Sequence, residues 1–355
     1  MSVTFKRITA LAAVAIVAVM ATGALAKDKT PPPNPYQTAV DAAYAKFKDM
    51  HEGKNADYIP ALAKVDPNVF GIALVTGDGK VYSAGDLTTQ VSIQSISKVF
   101  TMAQVMDEQG PDAIYNNIGV DATGMRFNSI VSVEMSKKMA GGPEMNALVN
   151  PGAITATSMV TGATRDEIWN KILAIDSDFA GRPLTVLKDV YDSEAATNQR
   201  NQAIAQLMYA YEYIKSEPMR ACDIYTEQCS IGVTAKDLAL MAATLAFGGQ
   251  NPVTKKQVVK TDIIPEVLAV MATAGLYDDS GKWLYHTGLP AKSGVGGGII
   301  AVAPGKFGIA VVSPPLDDAG NSVKAQKVIT DISNALGGNP YAASKPMPMM
   351  PAKKK

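Results

Sequence analysis

The spacing of apolar and polar residues defines two kinds of segment in the first third of the chain. Residues 69–75 and 81–84 are apolar runs on either side of a polar, glycine-containing turn, TGDGK. Two short runs joined in this way predict a β-hairpin. Farther along, a polar turn at 94–98 is followed by apolar residues at helical spacing: Val99, Phe100, Met102, Ala103, Val105 and Met106. This pattern predicts an amphipathic helix that begins in the polar turn.

The remaining pattern alternates between helical and strand-like regions. A helix is predicted from Tyr36 to about Met50, and helical stretches rich in Ala and Met dominate from about 108 to 250. Strand-like runs return at 299–302 and 307–313, and a last amphipathic helix spans about 322–336. Strands contributed by both ends of a chain, with helices between them, favour an α+β fold.

These regions give a domain map. We predict one folded domain at 37–340, with a sheet lobe from about 37–107 and 251–340 and a helical lobe at about 108–250. A proline-rich lead-in at 27–36 precedes this domain, and a Pro/Met/Lys-rich tail at 341–355 follows it. We expect the tail to be disordered.

Residues 1–26 have the features of a signal peptide. Lys6 and Arg7 form a basic start, residues 8–21 are apolar apart from one threonine, and Ala24-Leu25-Ala26 supplies a cleavage signal. The alternative is an uncleaved anchor, but the apolar run is short and wrongly flanked for a stable transmembrane helix. We therefore expect a periplasmic protein, cleaved after Ala26, that has no membrane partner once the signal is removed.

Charge and composition exclude several classes of function. The 33 basic residues balance the 33 acidic residues, so nothing indicates a nucleic-acid partner. The two cysteines, Cys222 and Cys229, and the two histidines, His51 and His286, are too few for an ordinary Cys/His metal site. We expect neither a metal nor an organic cofactor. Because only two histidines exist, a serine nucleophile with a lysine base becomes more favourable than a Ser-His-Asp arrangement.

Ser95 and Lys98 offer such a pair at the start of the predicted helix. Residues three apart share a helix face, and lysine can act as the base for serine when burial or a nearby cation lowers its pKa from about 10.4. Free N–H groups in the first helical turn can also face a developing oxyanion. An ordinary helix start with a solvated Lys98 explains the same spacing, so this motif needs support from elsewhere.

The sequence Lys292-Ser293-Gly294 supplies that support. Penicillin-recognising serine enzymes combine Ser-x-x-Lys with a downstream Lys-Ser/Thr-Gly, which lies on a strand facing the nucleophile. Here the second motif precedes the strand predicted at 299–302. A solvated lysine at a strand edge is the alternative interpretation of Lys292.

The segments that carry both motifs resemble the serine-dependent glutaminase family, bacterial and kidney type. The similarity extends over roughly residues 38–337 and is carried by QSISK at 94–98, LPAKSGVGGG at 289–298, ADYIP at 56–60, RFNS at 126–129 and SPPLDDAGNS at 313–322. It implies a β-lactamase/transpeptidase-like fold, in which helices sandwich an antiparallel sheet beside a mainly helical subdomain. It also implies hydrolysis of L-glutamine to L-glutamate and ammonia. Family analogy further suggests a homodimer or homotetramer.

The resemblance implies catalytic roles for five residues. Ser95 would be the nucleophile and Lys98 its base. The backbone N–H groups of Ser95 and Val295 would hold the oxyanion. Tyr58 or Tyr277 would relay a proton to the leaving amine.

It also implies a binding site for the free amino-acid substrate. Glu194 would pair with the ammonium group, while Asn150, Asn201 and Tyr225 would bind the carboxylate as neutral donors. Tyr277 would contact the substrate as well. Helix caps, a solvated carboxylate and half-buried core tyrosines are the alternative explanations for these residues.

Two features leave choices open. Pro151 replaces the family's alanine after Asn150, and proline disfavours helical backbone in the residue before it, which puts substrate choice in doubt. Cys222 and Cys229 flank Tyr225 in an oxidising compartment. On a helix, residues seven apart are separated by about 10.5 Å, too far for a disulfide, whereas a loop could join them.

Two other functions compete with the main interpretation. A β-lactamase or D,D-peptidase would share the fold and should carry Ser-x-Asn or Tyr-x-Asn near the nucleophile, a pattern that Tyr115-Asn116-Asn117 fits. A non-catalytic periplasmic amino-acid receptor would keep the pocket. Binding alone does not need a nucleophile and a base, however, so the Ser95–Lys98 pair argues against a receptor.

Overall fold

A computed structural model describes residues 33–136 and 145–342 of the protein. The predicted signal peptide at 1–26, most of the lead-in and the tail from residue 343 lie outside the described residues. The cleavage site after Ala26 therefore stays a prediction.

An antiparallel sheet of five strands, in the order β2-β1-β7-β6-β5, joins the two ends of the domain. Its strands are β1 (Gly71–Thr76), β2 (Val81–Gly85), β5 (Ala291–Gly294), β6 (Gly298–Ala303) and β7 (Phe307–Val312). The hairpin of β1 and β2 is confirmed, with Val75 opposite Val81. Strand β1 also pairs with β7, where Ile72 lies opposite Val311. This pairing brings the start and the end of the domain together, as the sequence predicts.

Helices cover both faces of this sheet. On one face, Ile72, Leu74 and Ile309 pack in one apolar core with α1 (Pro35–Phe47) and α14 (Val323–Leu336). Alternate residues of the same strands point to the other face, where α11 (Ala235–Ala246) packs on β1, β6 and β7. The predicted sandwich is thus confirmed. Helix α1 begins inside the predicted lead-in, because the Asn34 side chain caps its first N–H groups.

Most of the region between 108 and 250 is helical. Its described helices are α4 (Pro111–Asn117), α5 (Ile130–Glu134), α6 (Asn150–Met159), α7 (Arg165–Ala180), α8 (Lys188–Ala195), α9 (Gln199–Ala210) and α10 (Pro218–Cys229). A short strand β4 (Gly232–Val233) pairs with β3 (Val91–Ser92). Helix α11 falls inside the predicted helical lobe by sequence but packs on the sheet. The exact lobe boundaries stay a prediction.

Helix α3 (Ser97–Gln109) follows a 3₁₀ turn at Gln94–Ile96, and its first ten residues are buried. The edge strand β5 packs against this turn. The remaining helices are α2 (Pro60–Ala63), α12 (Ile264–Ala274) and α13 (Ser280–Thr287). Across the described residues, none of the helices combines the length and apolar character needed to cross a membrane.

Candidate active site

Ser95 lies in the buried 3₁₀ turn that leads into α3. The preceding residue, Gln94, has a φ of 51°, a left-handed conformation that is uncommon for a non-glycine residue and is enriched at functional sites. Gly294 of β5 lies directly against this turn, since a side chain at that position would meet Ile93 O at 2.7 Å. The strand that carries the Lys-Ser-Gly motif therefore faces the predicted nucleophile.

Lys98 is completely buried in the first turn of α3. Its Nζ donates to Asn150 Oδ1 at 2.7 Å and to Leu148 O at 3.3 Å. Burial lowers the pKa of Lys98 to about 8, although the nearby Cys229 and Glu194 raise it. An amine with this pKa exists partly in its neutral form near neutral pH, as a base requires. A solvated Lys98, the alternative explanation of the motif, does not match this environment.

The Ser95 hydroxyl lies beside the Tyr277 hydroxyl, and this contact opposes the rise that burial causes in the pKa of Tyr277. The Tyr277 hydroxyl itself donates to Ser293 O at 3.1 Å, so its oxygen is left to accept the proton of Ser95. The sequence spacing places Lys98 within reach of Ser95. In the described structure, however, the hydrogen bonds of the Lys98 amine go to Asn150 and Leu148. Catalytic hydrogen bonds often tighten only when substrate binds.

Lys292 lies beneath Tyr277 and is also fully buried. Its Nζ is 4.2 Å from the centre of the Tyr277 ring and donates to Gly275 O and Ser293 O, at 3.0 and 2.7 Å. Burial and the neighbouring Lys98 lower the pKa of Lys292 well below its usual value. The motif forms strand β5 itself, whereas the sequence pattern suggested a position ahead of a strand. Lys292 is therefore not a solvated edge lysine.

Asn150 connects three of the predicted site residues. Its Oδ1 accepts from Lys98 and, at 3.2 Å, from the Tyr225 hydroxyl, while its Nδ2 donates to Asn201 Oδ1 at 2.9 Å. The two asparagines and Tyr225 thus lie together, as expected for a shared binding site. Asn150 keeps a second amide N–H and Asn201 has its own amide N–H groups for a substrate carboxylate, whereas the single proton of Tyr225 is already donated to Asn150.

The expected effect of Pro151 on Asn150 is wrong. Asn150 is the first residue of α6, and Val149 before it is the extended residue. Proline is well accepted in the first turn of a helix because the N–H groups there have no helical partner. The position of Asn150 is also fixed by its own N–H, which donates to Phe127 O at 2.7 Å.

Glu194 near the end of α8 is buried beside the same site. Its Oε2 accepts from Gln94 Nε2 at 3.1 Å. Burial raises the pKa of Glu194 to about 7, against the opposing effects of the Gln94 hydrogen bond and the charge of Lys98. A buried carboxylate with one modest partner is well suited to receive the ammonium group of an amino acid.

The remaining predicted residues are Val295, which is buried, and Tyr58, which is exposed. Val295 follows β5 and packs in one apolar cluster with Tyr277. Tyr58 is 56% exposed and lines an open cleft of about 740 Å³. The same cleft is lined by residues 126–128 and 316–320, two other segments that carry the resemblance. Phe127 from this wall packs against Tyr277, with ring centres 4.9 Å apart and the ring planes tilted by 43°.

Sequence reasoning gave no role to two groups in the site. Gln94 binds Glu194, and the Leu148 carbonyl binds Lys98. The place of Gln94 next to Ser95 was an available signal, whereas nothing in the sequence marks the carbonyl of Leu148. The Tyr115-Asn116-Asn117 motif lies on exposed α4, beyond the C-terminal end of α3 and thus at the opposite end from Ser95.

The comparison with known protein families is decisive. A family model described as Glutaminase matches residues 53–341. This chain belongs to the glutaminase family. It is 51% identical over 311 residues to a glutaminase of Colwellia psychrerythraea, covering 88% of this chain and 99% of that protein. It is also 46% identical over 308 residues to Glutaminase 1 of Escherichia coli, covering 87% and 98%.

Solved structures agree with this family assignment. One described as a probable glutaminase, ybaS, superposes with a TM-score of 0.85 at 45% identity and covers 88% of this chain and 100% of that chain. A second, Mglu in its glutamate form, gives a TM-score of 0.82 at 34% identity and covers 88% and 70%. The β-lactamase-like α+β fold implied by the sequence is therefore confirmed, and the chain is an amidohydrolase by family.

Proposed function

We propose that this enzyme hydrolyses L-glutamine to L-glutamate and ammonia through a glutamyl ester on Ser95. The observation that supports this mechanism best is the burial of Lys98, which lowers the pKa of its amine to about 8. The amine follows Ser95 by one helical turn, and Glu194 lies buried beside it. A nucleophile, a base and a partner for an ammonium group thus belong to one site.

The acylation step forms one bond and breaks another. Ser95 Oγ attacks the side-chain amide carbon of glutamine, and its proton passes to Lys98, directly or through the oxygen of the neighbouring Tyr277. The resulting oxyanion is held by the N–H groups of Ser95 and Val295, and loss of one such donor costs about 2.7–4 kcal/mol in comparable sites. The C–N bond then breaks, and ammonia leaves with a proton delivered through Tyr277 or Tyr58.

Water completes the reaction by attacking the glutamyl ester. Lys98 takes a proton from this water, the bond to Ser95 Oγ breaks, and the serine hydroxyl regains its proton as glutamate leaves. In this scheme Glu194 binds the substrate ammonium group, and the free amide N–H groups of Asn150 and Asn201 bind its carboxylate beside Tyr225. Asn150 orients both Tyr225 and Lys98 through its Oδ1.

A penicillin-type substrate is the second candidate within this fold. The motif that would favour it, Tyr115-Asn116-Asn117, lies at the far end of α3, while Asn150 occupies the position beside Lys98. Covalent labelling of Ser95 by a penicillin, without release of ammonia from glutamine, would support that candidate.

Export and assembly are further parts of this proposal. We infer a periplasmic enzyme that is cleaved after Ala26 and forms a homodimer or homotetramer. The basic, apolar and small-residue segments of 1–26 support export. N-terminal sequencing of protein from the periplasmic fraction tests the cleavage site, and light scattering of the mature protein tests the assembly.

Ammonia release from L-glutamine by residues 27–355 tests the assignment, with Ser95→Ala and Lys98→Met as variants. Ser158→Ala is a matched control, since Ser158 is a partly buried helical serine on α6 that bonds only its own helix in the described structure. We expect both site variants to lose turnover and the control to keep it. Turnover by Ser95→Ala at the parent rate would contradict the mechanism.

A further inference from the structure

A buried glutamine, Gln228, lies behind the turn that carries Ser95. It is located on α10 and has no exposed surface. Its Oε1 accepts from the hydroxyl groups of Thr101 on α3 and Thr157 on α6, at 3.2 Å each. Its Nε2 donates to Ser97 Oγ at 3.4 Å. The side-chain amide of Gln228 thus connects α10 with α3 and α6, and both its oxygen and its nitrogen form hydrogen bonds.

The network continues from Gln228 to the residue before the nucleophile. Ser97 Oγ donates to Gln94 O at 2.8 Å. Gln94 is held from its other side as well, because its Nε2 donates to Ser92 Oγ and to Glu194 Oε2. These hydrogen bonds hold Gln94, whose φ of 51° would be unfavourable without them. The peptide carbonyl that Ser97 binds leads directly into Ser95.

The direction of these hydrogen bonds is set by the amide of Gln228. Oε1 receives the proton of Thr101 and shares the proton of Thr157 with Ala153 O, so Nε2 points to Ser97. Ser97 Oγ accepts that bond, and its own proton is then directed to Gln94 O. A carboxylate at position 228 would accept from Ser97 and turn that proton away from Gln94. A thioether would leave Ser97 without its donor.

We propose that Gln228 is a positioning residue that holds Ser95 in its reactive orientation through Ser97 and Gln94. This proposal rests on the proposed role of Ser95 as the nucleophile. The hydrogen bonds of Gln228 go to Thr101, Thr157 and Ser97 in the described structure, so its action on Ser95 is indirect. Loss of the network should therefore reduce kcat while KM for glutamine changes little.

The test compares Gln228→Met and Gln228→Glu with the parent enzyme at several pH values. For Gln228→Met we expect kcat to fall about tenfold or more, because small displacements of a reacting group are costly, with KM within about twofold. For Gln228→Glu, the protonated acid can donate to Ser97 whereas the carboxylate cannot. The ratio of its kcat to that of the parent should therefore fall as pH rises, an effect that packing alone does not produce.

Gln104→Met is the matched control, since Gln104 is a buried glutamine on α3 that donates to Glu108 near the other end of that helix. Its kcat should stay at the parent value. If Gln228→Met does not fold, Ser97→Ala interrupts the same network and should lower kcat similarly. In a double-mutant cycle, Ser97→Ala combined with Gln228→Met should be no worse than the more severe single variant.

Parent-like kcat in Gln228→Met or in Ser97→Ala, or a loss that falls on KM, would overturn the proposal. Strictly additive effects of the two substitutions would do so as well. The Ser95→Ala assay separates this outcome from failure of the proposed function. If Ser95→Ala remains active, the nucleophile is wrong whatever position 228 shows. If it is inactive while Gln228→Met is normal, only the positioning role is lost.

Discussion

At the scale of single residues, Lys98 and Glu194 share one buried site, and removal from water changes the protonation of both. Burial disfavours a charge of either sign, so it lowers the pKa of Lys98 to about 8 and raises that of Glu194 to about 7. Each group is also affected by the other, and the two should titrate as a coupled pair. Catalysis needs Lys98 neutral and Glu194 ionised.

This pairing predicts how activity depends on pH. Both required states are reached by losing a proton, so kcat/KM for glutamine should rise between about pH 6 and pH 9 as the pair titrates. Glu194→Gln should raise KM strongly and remove the ionisation near pH 7, while Asp189→Asn on the exposed part of the same helix serves as a control. A kcat/KM that is flat or falls over this range would contradict the assignment of Lys98 and Glu194.

A second residue-scale prediction concerns Asp176, which is fully buried on α7. Neither of its carboxylate oxygens has a hydrogen-bond partner within the described residues, and burial raises its pKa well above the usual value. The folded protein therefore keeps a proton that the unfolded chain loses near pH 4, so Asp176 lowers stability as pH rises above that point. Asp176→Asn should then stabilise the fold at pH 7.

We expect a gain of about 1–3 kcal/mol in the free energy of unfolding, measured by urea denaturation at pH 5 and pH 8. The gain should be larger at pH 8. Asp178→Asn, two residues along the same helix in a partly exposed pair with Lys256, should change stability by less than about 1 kcal/mol. Destabilisation by Asp176→Asn at pH 8 would show that the carboxylate is ionised and has a partner.

At the scale of elements, the helix α10 keeps the two cysteines of the chain too far apart to form a disulfide. Cys222 and Cys229 lie on this one regular helix, and both are buried free thiols. The sequence left open whether a loop would join them or a helix would keep them apart. A continuous helix brings Tyr225 to Asn150 and keeps the thiols about two turns apart.

A reducing agent should therefore leave both the melting temperature and the glutamine turnover of the purified protein unchanged. Thiol titration after denaturation without reductant should find two free cysteines per chain. A drop in melting temperature on reduction, or a missing pair of thiols, would mean that the segment 222–229 is not helical in the mature protein.

At the scale of the whole molecule, periodicity predicted the elements and the family resemblance predicted the content of the site. The hairpin, the helix after Ser95 and the return of strands after residue 290 follow from local patterns. The meeting of Ser95 with Lys292 follows from the pairing of β1 with β7, which places both chain ends in one sheet.

Other features depend on packing between distant segments and had no local signal. Lys98 binds Asn150 and the Leu148 carbonyl because α3 packs against the start of α6. Similarly, the Ala- and Met-rich sequence of α11 predicted a helix in the helical lobe but not that this helix would lie against the sheet. The left-handed backbone of Gln94 is held by the bond from Ser97 to its carbonyl and by the bond from its own side chain to Glu194, a residue 100 positions away in the sequence.

The central claim, a glutamyl ester on Ser95, is tested most directly by mass spectrometry. The enzyme is mixed with L-glutamine, quenched in acid during turnover and digested, with Ser95→Ala treated in parallel. We predict a peptide containing Ser95 whose mass is increased by one glutamyl group and which is absent from the variant. A glutamyl group on another residue, or turnover by both proteins without any such adduct, would contradict the account.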